Sequence, residues 1–122
     1  IMPGGMGTQN LPRAVGERRA KELIFAARPF DAAKGLEWGV VNRICEPARL
    51  IEEAFETAAA IAANGPLAVR QAKKSIHYGL GMDLHSGYRF EIEAYNRLVD
   101  TDDRREGVRA FNEKRKPDFR GR

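Results

Sequence analysis

A chain of 122 residues is about one small domain, and its 43% apolar and 31% charged composition excludes a disordered or fibrous class, while no apolar run approaches the roughly 18 residues of a membrane-spanning helix. Cys45 is the only cysteine, which excludes an internal disulfide framework and a thiolate metal cluster and fits a reducing compartment, the cytoplasm or an organelle interior. The formal charge of +4 is local, because residues 104–122 carry eight Lys or Arg against three acids and the remainder is slightly acidic.

The chain opens IMPGGMGTQNLP, and Gly4, Gly5 and Gly7 make the stretch from Ile1 to Pro12 read as a turn, since glycine permits backbone angles and close approaches denied to other residues. No initiator methionine stands at its head. A backbone-rich turn running into a helix is a strange place for a protein to begin, so the expectation is that these residues are the last part of a larger enzyme. After Gly16, the run ERRAKELIFAA places Ala20, Leu23, Ile24 and Ala27 on one helical face. Asp31 is placed to cap a short helix AAKGLEW that Gly39 ends, and VVNRIC then reads as a strand closed by Pro47. A lone strand cannot satisfy its own backbone donors and acceptors, so residues 40–45 either pair with other polypeptide or are irregular.

From Pro47 onward the pattern is helical. Leu50, Ala54, Phe55, Ala58 and Ile61 form an apolar stripe that stops at Asn64-Gly65. Pro66 opens the next helix, with Val69, Ala72 and Ile76 as its expected inner face before Gly79. Asp83 or Ser86 caps a longer helix bearing Tyr88, Ile92, Tyr95 and Val99, and Asp100 or Thr101 caps a last one through Val108 and Phe111. Broad stripes and many alanines suit packing against another subunit.

Chemistry-bearing residues are few. The turn PGGMGTQ is neither a P-loop nor a dinucleotide fingerprint, and it either closes a turn or lines a ligand with its backbone N–H groups. His77 and His85 lack metal-ligand spacing, Cys45 has no adjacent base, and Ser75 and Ser86 have no nucleophile context. Glu91 and Glu93 diverge on a helix, while Asp102 and Asp103 suit the start of one, so no catalytic pair is evident. Phe111 and Lys114 stand about one turn apart near Arg115 and Lys116. A ring and a cation so placed suit the base and phosphates of a nucleotide-bearing cofactor, and a solvated basic end or a nucleic-acid surface is the alternative.

The segments PGGMGTQNLPRAVG, AKELIFAARPFDAAKGLEWGVVNRI, GPLAVRQAKKSI and DDRREGVRAFNEKRKPDFRGR together resemble the C-terminal part of the enoyl-CoA hydratase/isomerase family, the crotonases. The resemblance implies an α/β crotonase-like fold, a spiral of ββα turns, of which this chain is a mostly α-helical fragment with a C-terminal helical oligomerisation region. Residues 1–46 would be the end of the α/β core with its glycine turn, and residues 47–122 the helical region for trimer packing, often paired into hexamers, and for coenzyme A contact.

In that family an acyl-CoA thioester carbonyl sits between two backbone N–H groups, which favour developing enolate charge, and two glutamates handle water and proton in hydration. By the resemblance these donors and both glutamates precede Ile1, so no residue of the chain is catalytic. Gly4, Gly5 and Gly7 would border the water pocket with their backbone, and Phe111 and Lys114 would contact coenzyme A. The implied activity is hydration of a 2-trans-enoyl-CoA, with enoyl-CoA isomerisation or another reaction of the family, or a basic RNA-binding or assembly module, as rivals. Coenzyme A enters as part of the substrate, and no prosthetic group or metal is implied. Family members commonly have glycine at Met6 and arginine at Asn10, so the resemblance also implies a narrower pocket and one cation fewer.

Overall fold

The computed structural model describes residues 1–122 and contains seven α-helices, one 3-10 turn and no strand. It divides into two compact units, Ile1–Leu50 and Ile51–Arg122.

In the first unit, α1 (Gly7–Val15) packs on α2 (Glu17–Ala26), and the two are separated by Gly16 at φ 82°, whose N–H closes onto the Pro12 carbonyl at 2.9 Å. The helix therefore starts inside the stretch expected to be a turn, and it contains Pro12. The left-handed Met6 makes this start possible, since its carbonyl accepts the N–H groups of both Gln9 and Asn10, at 2.9 and 2.8 Å.

Helix α3 (Ala32–Glu37) is capped by Asp31, whose carboxylate accepts the Lys34 N–H at 2.8 Å. Gly39 at φ 77° ends it in a Schellman turn, with Gly39 N–H on the Leu36 carbonyl and Val40 N–H on the Gly35 carbonyl. That turn also explains why residues 40–45 form no strand as VVNRIC had suggested. The Val40 and Val41 N–H groups are both spent on the Gly35 carbonyl, and no neighbouring strand exists to pair with the rest.

A 3-10 turn at Pro47–Arg49 closes the first unit and leads into α4 (Leu50–Ala62), and α5 (Pro66–Gly79), α6 (Leu84–Val99) and α7 (Asp102–Asn112) follow in the second. Pro66 opens α5, where a missing N–H costs nothing. Asp83 caps α6 through the Ser86 N–H at 3.0 Å, and Thr101 caps α7 through the Arg104 N–H at 3.2 Å.

Helices α5 and α6 form an antiparallel hairpin whose contact combines small residues with one half-buried ring, Phe90 of α6, which meets Tyr78 of α5 at 5.8 Å between centroids. A Cβ added at Gly87 would lie 3.7 Å from the Gly79 carbonyl oxygen, so the backbones approach closely there, and Ala94 is buried one face along. The apolar stripes expected to face inward do not. Ile76 is 65% exposed and Tyr95 62%, with Tyr88 and Ile92 exposed as well. Ile76, Tyr88 and Tyr95 lie roughly a sixth to a third of a turn around their helices from the Ser75, Gly79, Gly87 and Ala94 contact line, and Ile92 roughly two-fifths. Small residues won the hairpin because they let the helices approach, leaving the bulky stripes uncovered. Helix α4 behaves likewise, with no buried residue and Phe55 exposed.

The last ten residues are neither helix nor strand, yet they are fixed. Helix α7 ends with Glu113 and a left-handed Lys114 at φ 53°, after which the chain doubles back along the helix. Two carboxylates one turn apart on α7 receive it. Glu106 accepts the Asp118 N–H at 3.0 Å together with the guanidinium groups of Arg115 and Arg109. Asp103 accepts the N–H groups of Arg120 and Gly121 at 2.7 and 2.8 Å, and its own N–H donates to the Arg122 carbonyl at 3.0 Å. The Phe119 ring completes the strap by packing over Gly107 and Gly65, where no side chain intervenes. Both carboxylates are buried and both are satisfied, as burial of a charge requires.

Two outcomes test this account. Gly87→Ala places its Cβ at an ordinary van der Waals distance and removes a mid-helix glycine, so urea unfolding reports a gain of about 0.5–1 kcal/mol, whereas Gly87→Leu forces branches into the gap and loses about 1–3 kcal/mol. The hydrogen bonds from Arg115, Arg109 and the Asp118 N–H hold the Glu106 carboxyl well below its usual value of 4.5. With the folded value depressed, the stabilisation is complete above the unfolded value and disappears as pH falls through the folded one. Glu106→Gln is accordingly less stable than the parent at neutral pH, and the gap narrows as thermal unfolding is repeated below pH of about 4. A gap independent of pH contradicts the carboxylate's role.

Candidate functional site

Gly4, Gly5 and Gly7 sit together in the turn that starts α1, but for different reasons. Gly5 has φ +57°, which favours glycine, and a Cβ at Gly7 would stand 3.0 Å from the Pro3 side chain. Gly4 meets neither constraint, since a Cβ there would face open space. The Gly7 N–H donates to the Gly4 carbonyl at 3.0 Å, so the turn keeps that donor for itself rather than offering it to a ligand. Met6 follows Gly5 in the left-handed region at φ 70°, a conformation that glycine adopts without steric cost. Neither Met6 nor any other side chain caps α1.

Phe111 and Lys114 are brought together at the end of α7. The Lys114 N–H donates to the Phe111 carbonyl at 3.2 Å and the Arg115 N–H to the Ala110 carbonyl at 3.0 Å, the same Schellman pairing that Gly39 gives α3. Phe111 is 84% exposed and Lys114 is exposed beside it. Helix end and returning strap therefore fix the backbone on both sides of an aromatic ring and an ammonium group that project from the same turn's worth of chain.

The basic tail is largely neutralised from within. Arg105 pairs with Asp102 at 3.3 Å, Arg120 with Asp118 at 2.8 Å, Arg122 with Asp102 at 3.8 Å, and Arg109 and Arg115 with Glu106. These charges line a cleft of about 630 Å³ between α7 and the strap, and they answer one another. Arg104, Lys114 and Lys116 stand outside the pairs. Asp103 lies in the first turn of α7 as expected and in addition anchors the strap, a role that the sequence pattern does not announce for it or for Glu106. The available signal was two acids three apart on one helical face ahead of a proline-containing basic tail.

The remaining residues gather no chemistry. The His77 ring meets Tyr78 edge-on at 5.2 Å between centroids, Cys45 is half-buried and free, and no group of three or more His, Cys, Asp or Glu side chains is arranged to hold a metal ion. Ser75 and Glu91 border a groove of about 300 Å³ between α5 and α6, with no hydrogen bond between them. No helix is long and apolar enough to cross a membrane.

The family described as enoyl-CoA hydratase/isomerase matches residues 1–122. A Bacillus subtilis (strain 168) protein named for enoyl-CoA hydratase/isomerase is 48% identical over 121 residues, which are 99% of this chain and 46% of that protein. The mitochondrial methylglutaconyl-CoA hydratase of Mus musculus is 41% identical over 125 residues, covering 99% of this chain and 40% of the relative. The crystal structure of an enoyl-CoA hydratase from Bacillus anthracis superimposes with a TM-score of 0.97 at 47% identity, over 100% of this chain and 47% of that one. The chain spans about half the length of the proteins it resembles, or less. Matched from end to end in sequence and in backbone, and mostly helical as the last part of a ββα-spiral fold should be, it belongs to the enoyl-CoA hydratase/isomerase family, the crotonases.

Proposed function

We propose that these residues are the C-terminal part of an enoyl-CoA hydratase, which adds water across the 2,3 double bond of a 2-trans-enoyl-CoA thioester. The observation that carries the reading is the end of α7, where Phe111 and Lys114 stand exposed and adjacent on a backbone fixed from both sides. A flat ring and a cation in that relation suit the adenine and phosphates of coenzyme A. Lys114 occupies a left-handed position that glycine fills at the end of α3, and a cation held where glycine is easier points to a use for its ammonium group. Strain alone is not the argument, since Ala27 is also left-handed at φ 50°.

In this reading the water, the two glutamates that move its protons and the two N–H donors to the thioester oxygen belong to polypeptide upstream of Ile1. Residues 1–46 close that core, with Gly4, Gly5 and Gly7 bordering the water pocket through their backbone. Residues 47–122 pack into trimers, paired in some members into hexamers, and reach coenzyme A. The uncovered stripes of α4, α5 and α6 support such packing, because a surface carrying Phe55, Ile76, Tyr88 and Tyr95 is unusually apolar for a face in water. Isomerisation of an enoyl-CoA is the nearest alternative, and the name of the Bacillus subtilis relative carries both activities. An RNA-binding module draws little support, because the tail's arginines are mostly engaged by carboxylates. The location proposed is the cytoplasm or an organelle interior, and the mouse relative is named mitochondrial.

The 122 residues alone show no hydration of crotonyl-CoA above background, and the complete protein does, as the loss of enoyl absorbance reports. Turnover by the isolated residues defeats this division of labour. In the complete protein, Lys114→Gly removes the ammonium while relieving the left-handed backbone. Calorimetric titration with coenzyme A then gives an affinity weaker by about five- to tenfold, at a melting temperature equal to or above the parent's. Unchanged affinity removes Lys114 from the site.

A further inference from the structure

We propose that Glu106 is a positioning residue for coenzyme A, acting through the strap that fixes Lys114. The proposal rests on the reading of Lys114 as a coenzyme contact and identifies what holds that contact in place. Lys114 lies at the point where α7 stops and the chain reverses, and a left-handed lysine at such a point has little intrinsic reason to keep one conformation. On its helical side it is tied by its own N–H to Phe111 and by the Arg115 N–H to Ala110. On its far side Arg115 is tied to two carboxylates, to Glu113 through its Nε at 2.6 Å and to Glu106, and only Glu106 also reaches the returning strap. The Arg115 guanidinium reaches Glu106 with both Nη1 and Nη2, and the Asp118 N–H reaches Glu106 Oε1 at 3.0 Å.

Glu106 thus grips the residue next to Lys114 and a second residue four positions beyond it, closing a short loop with Lys114 at its head. Its carboxylate is buried while Lys114 and Phe111 are exposed, so the group doing the holding is removed from the ligand and the groups held are presented to it. Asp103 secures the far end of the same strap through Arg120 and Gly121. Preorganisation of this kind raises affinity by removing the ordering cost at the moment of binding.

The sign of the effect separates this role from bare electrostatics. Coenzyme A is a polyanion, and Glu106→Gln deletes a negative charge near the segment proposed to bind it. Coulomb attraction by itself then predicts tighter binding. Positioning predicts weaker binding.

The experiment is a calorimetric titration of free coenzyme A into the complete protein, as parent, E106Q, K114G and the double variant. E106Q weakens affinity by about threefold or more at an unchanged number of sites per folded chain, and the double variant is no weaker than K114G alone, because the two residues act through one contact. A merely structural role instead lowers the number of competent sites and leaves the affinity of those that remain. Asp103→Asn, which loosens the far end of the strap, weakens affinity to a smaller extent and stands in should E106Q yield no folded protein. Affinity in E106Q equal to or tighter than the parent's, with K114G weakened, overturns the positioning role and leaves the coenzyme contact standing. Additive losses in the double variant also overturn it, since they place Glu106 on a separate route. An unaffected K114G removes the coenzyme contact and this inference with it.

Discussion

Two carboxylates on one face of α7 fix the last ten residues of the structure. A backbone that is neither helix nor strand must find acceptors for its N–H groups, and a carboxylate drawn out of water must find donors. Asp103 and Glu106 meet both needs, taking the N–H groups of Asp118, Arg120 and Gly121. Their spacing of three residues places them on successive turns of the same face, matching the advance of an extended strap running back along the helix. Phe119 adds the apolar share by packing onto Gly107 and Gly65, both of which leave room for a ring. The geometry of Lys114 follows from this closure rather than from any preference of lysine.

Elsewhere the helices lack what usually holds helices together. The buried apolar residues are Ala20, Ala94 and Ala110, and no large side chain is fully buried. Burial of alanine contributes little compared with a leucine or phenylalanine. Close backbone approach replaces it in the α5–α6 hairpin, as at Gly79 and Gly87. Phe90 and Phe119 are half-buried, but most bulky side chains of α4 to α6, Phe55, Ile76, Tyr88 and Tyr95 among them, stay exposed, so much of the apolar surface that ordinarily stabilises a domain is presented rather than consumed. A chain spanning 46% of its Bacillus subtilis relative has this character if its stripes meet further polypeptide, and the length comparison and the exposure come from independent observations.

The sequence was readable wherever a single residue decides a local event. Asp31, Asp83 and Thr101 cap the helices they precede, Pro66 opens α5 and Gly39 closes α3, because cap chemistry depends on only a few neighbouring backbone groups. Direction was not readable. The periodicity that put Val69, Ala72 and Ile76 on one face was correct as a face, but periodicity does not say whether that face meets the next helix or something beyond it. The VVNRIC segment failed for a related reason. Alternation and β-branching describe a preference, and here the preceding helix had already taken the N–H groups of Val40 and Val41. The strap was the least accessible feature, since Glu106 and Asp118 are twelve residues apart and joined by no pattern. The glycine turn lay between these cases. Its tightness was visible, while the left-handed Met6 that starts α1 within it was not.

The two Schellman turns make an internal comparison that bears on function. Gly39 and Lys114 perform the same backbone task at φ 77° and 53°, with the same pair of N–H donors satisfied in the same order. Glycine does this without steric penalty, and lysine does it against a Cβ clash with its own backbone. At Gly39 the following residues turn straight into an irregular segment whose first N–H groups bind the helix end. At Lys114 the following residues are clamped twice more, by Glu106 and then by Asp103. The site with the less suitable residue is therefore the one with the additional restraint. Local strain persists where surrounding structure over-determines it, and such positions gather where a side chain is put to use. On that logic the strap and the lysine are one device, in which buried carboxylates supply the rigidity that lets a flexible cation be held at the end of a helix.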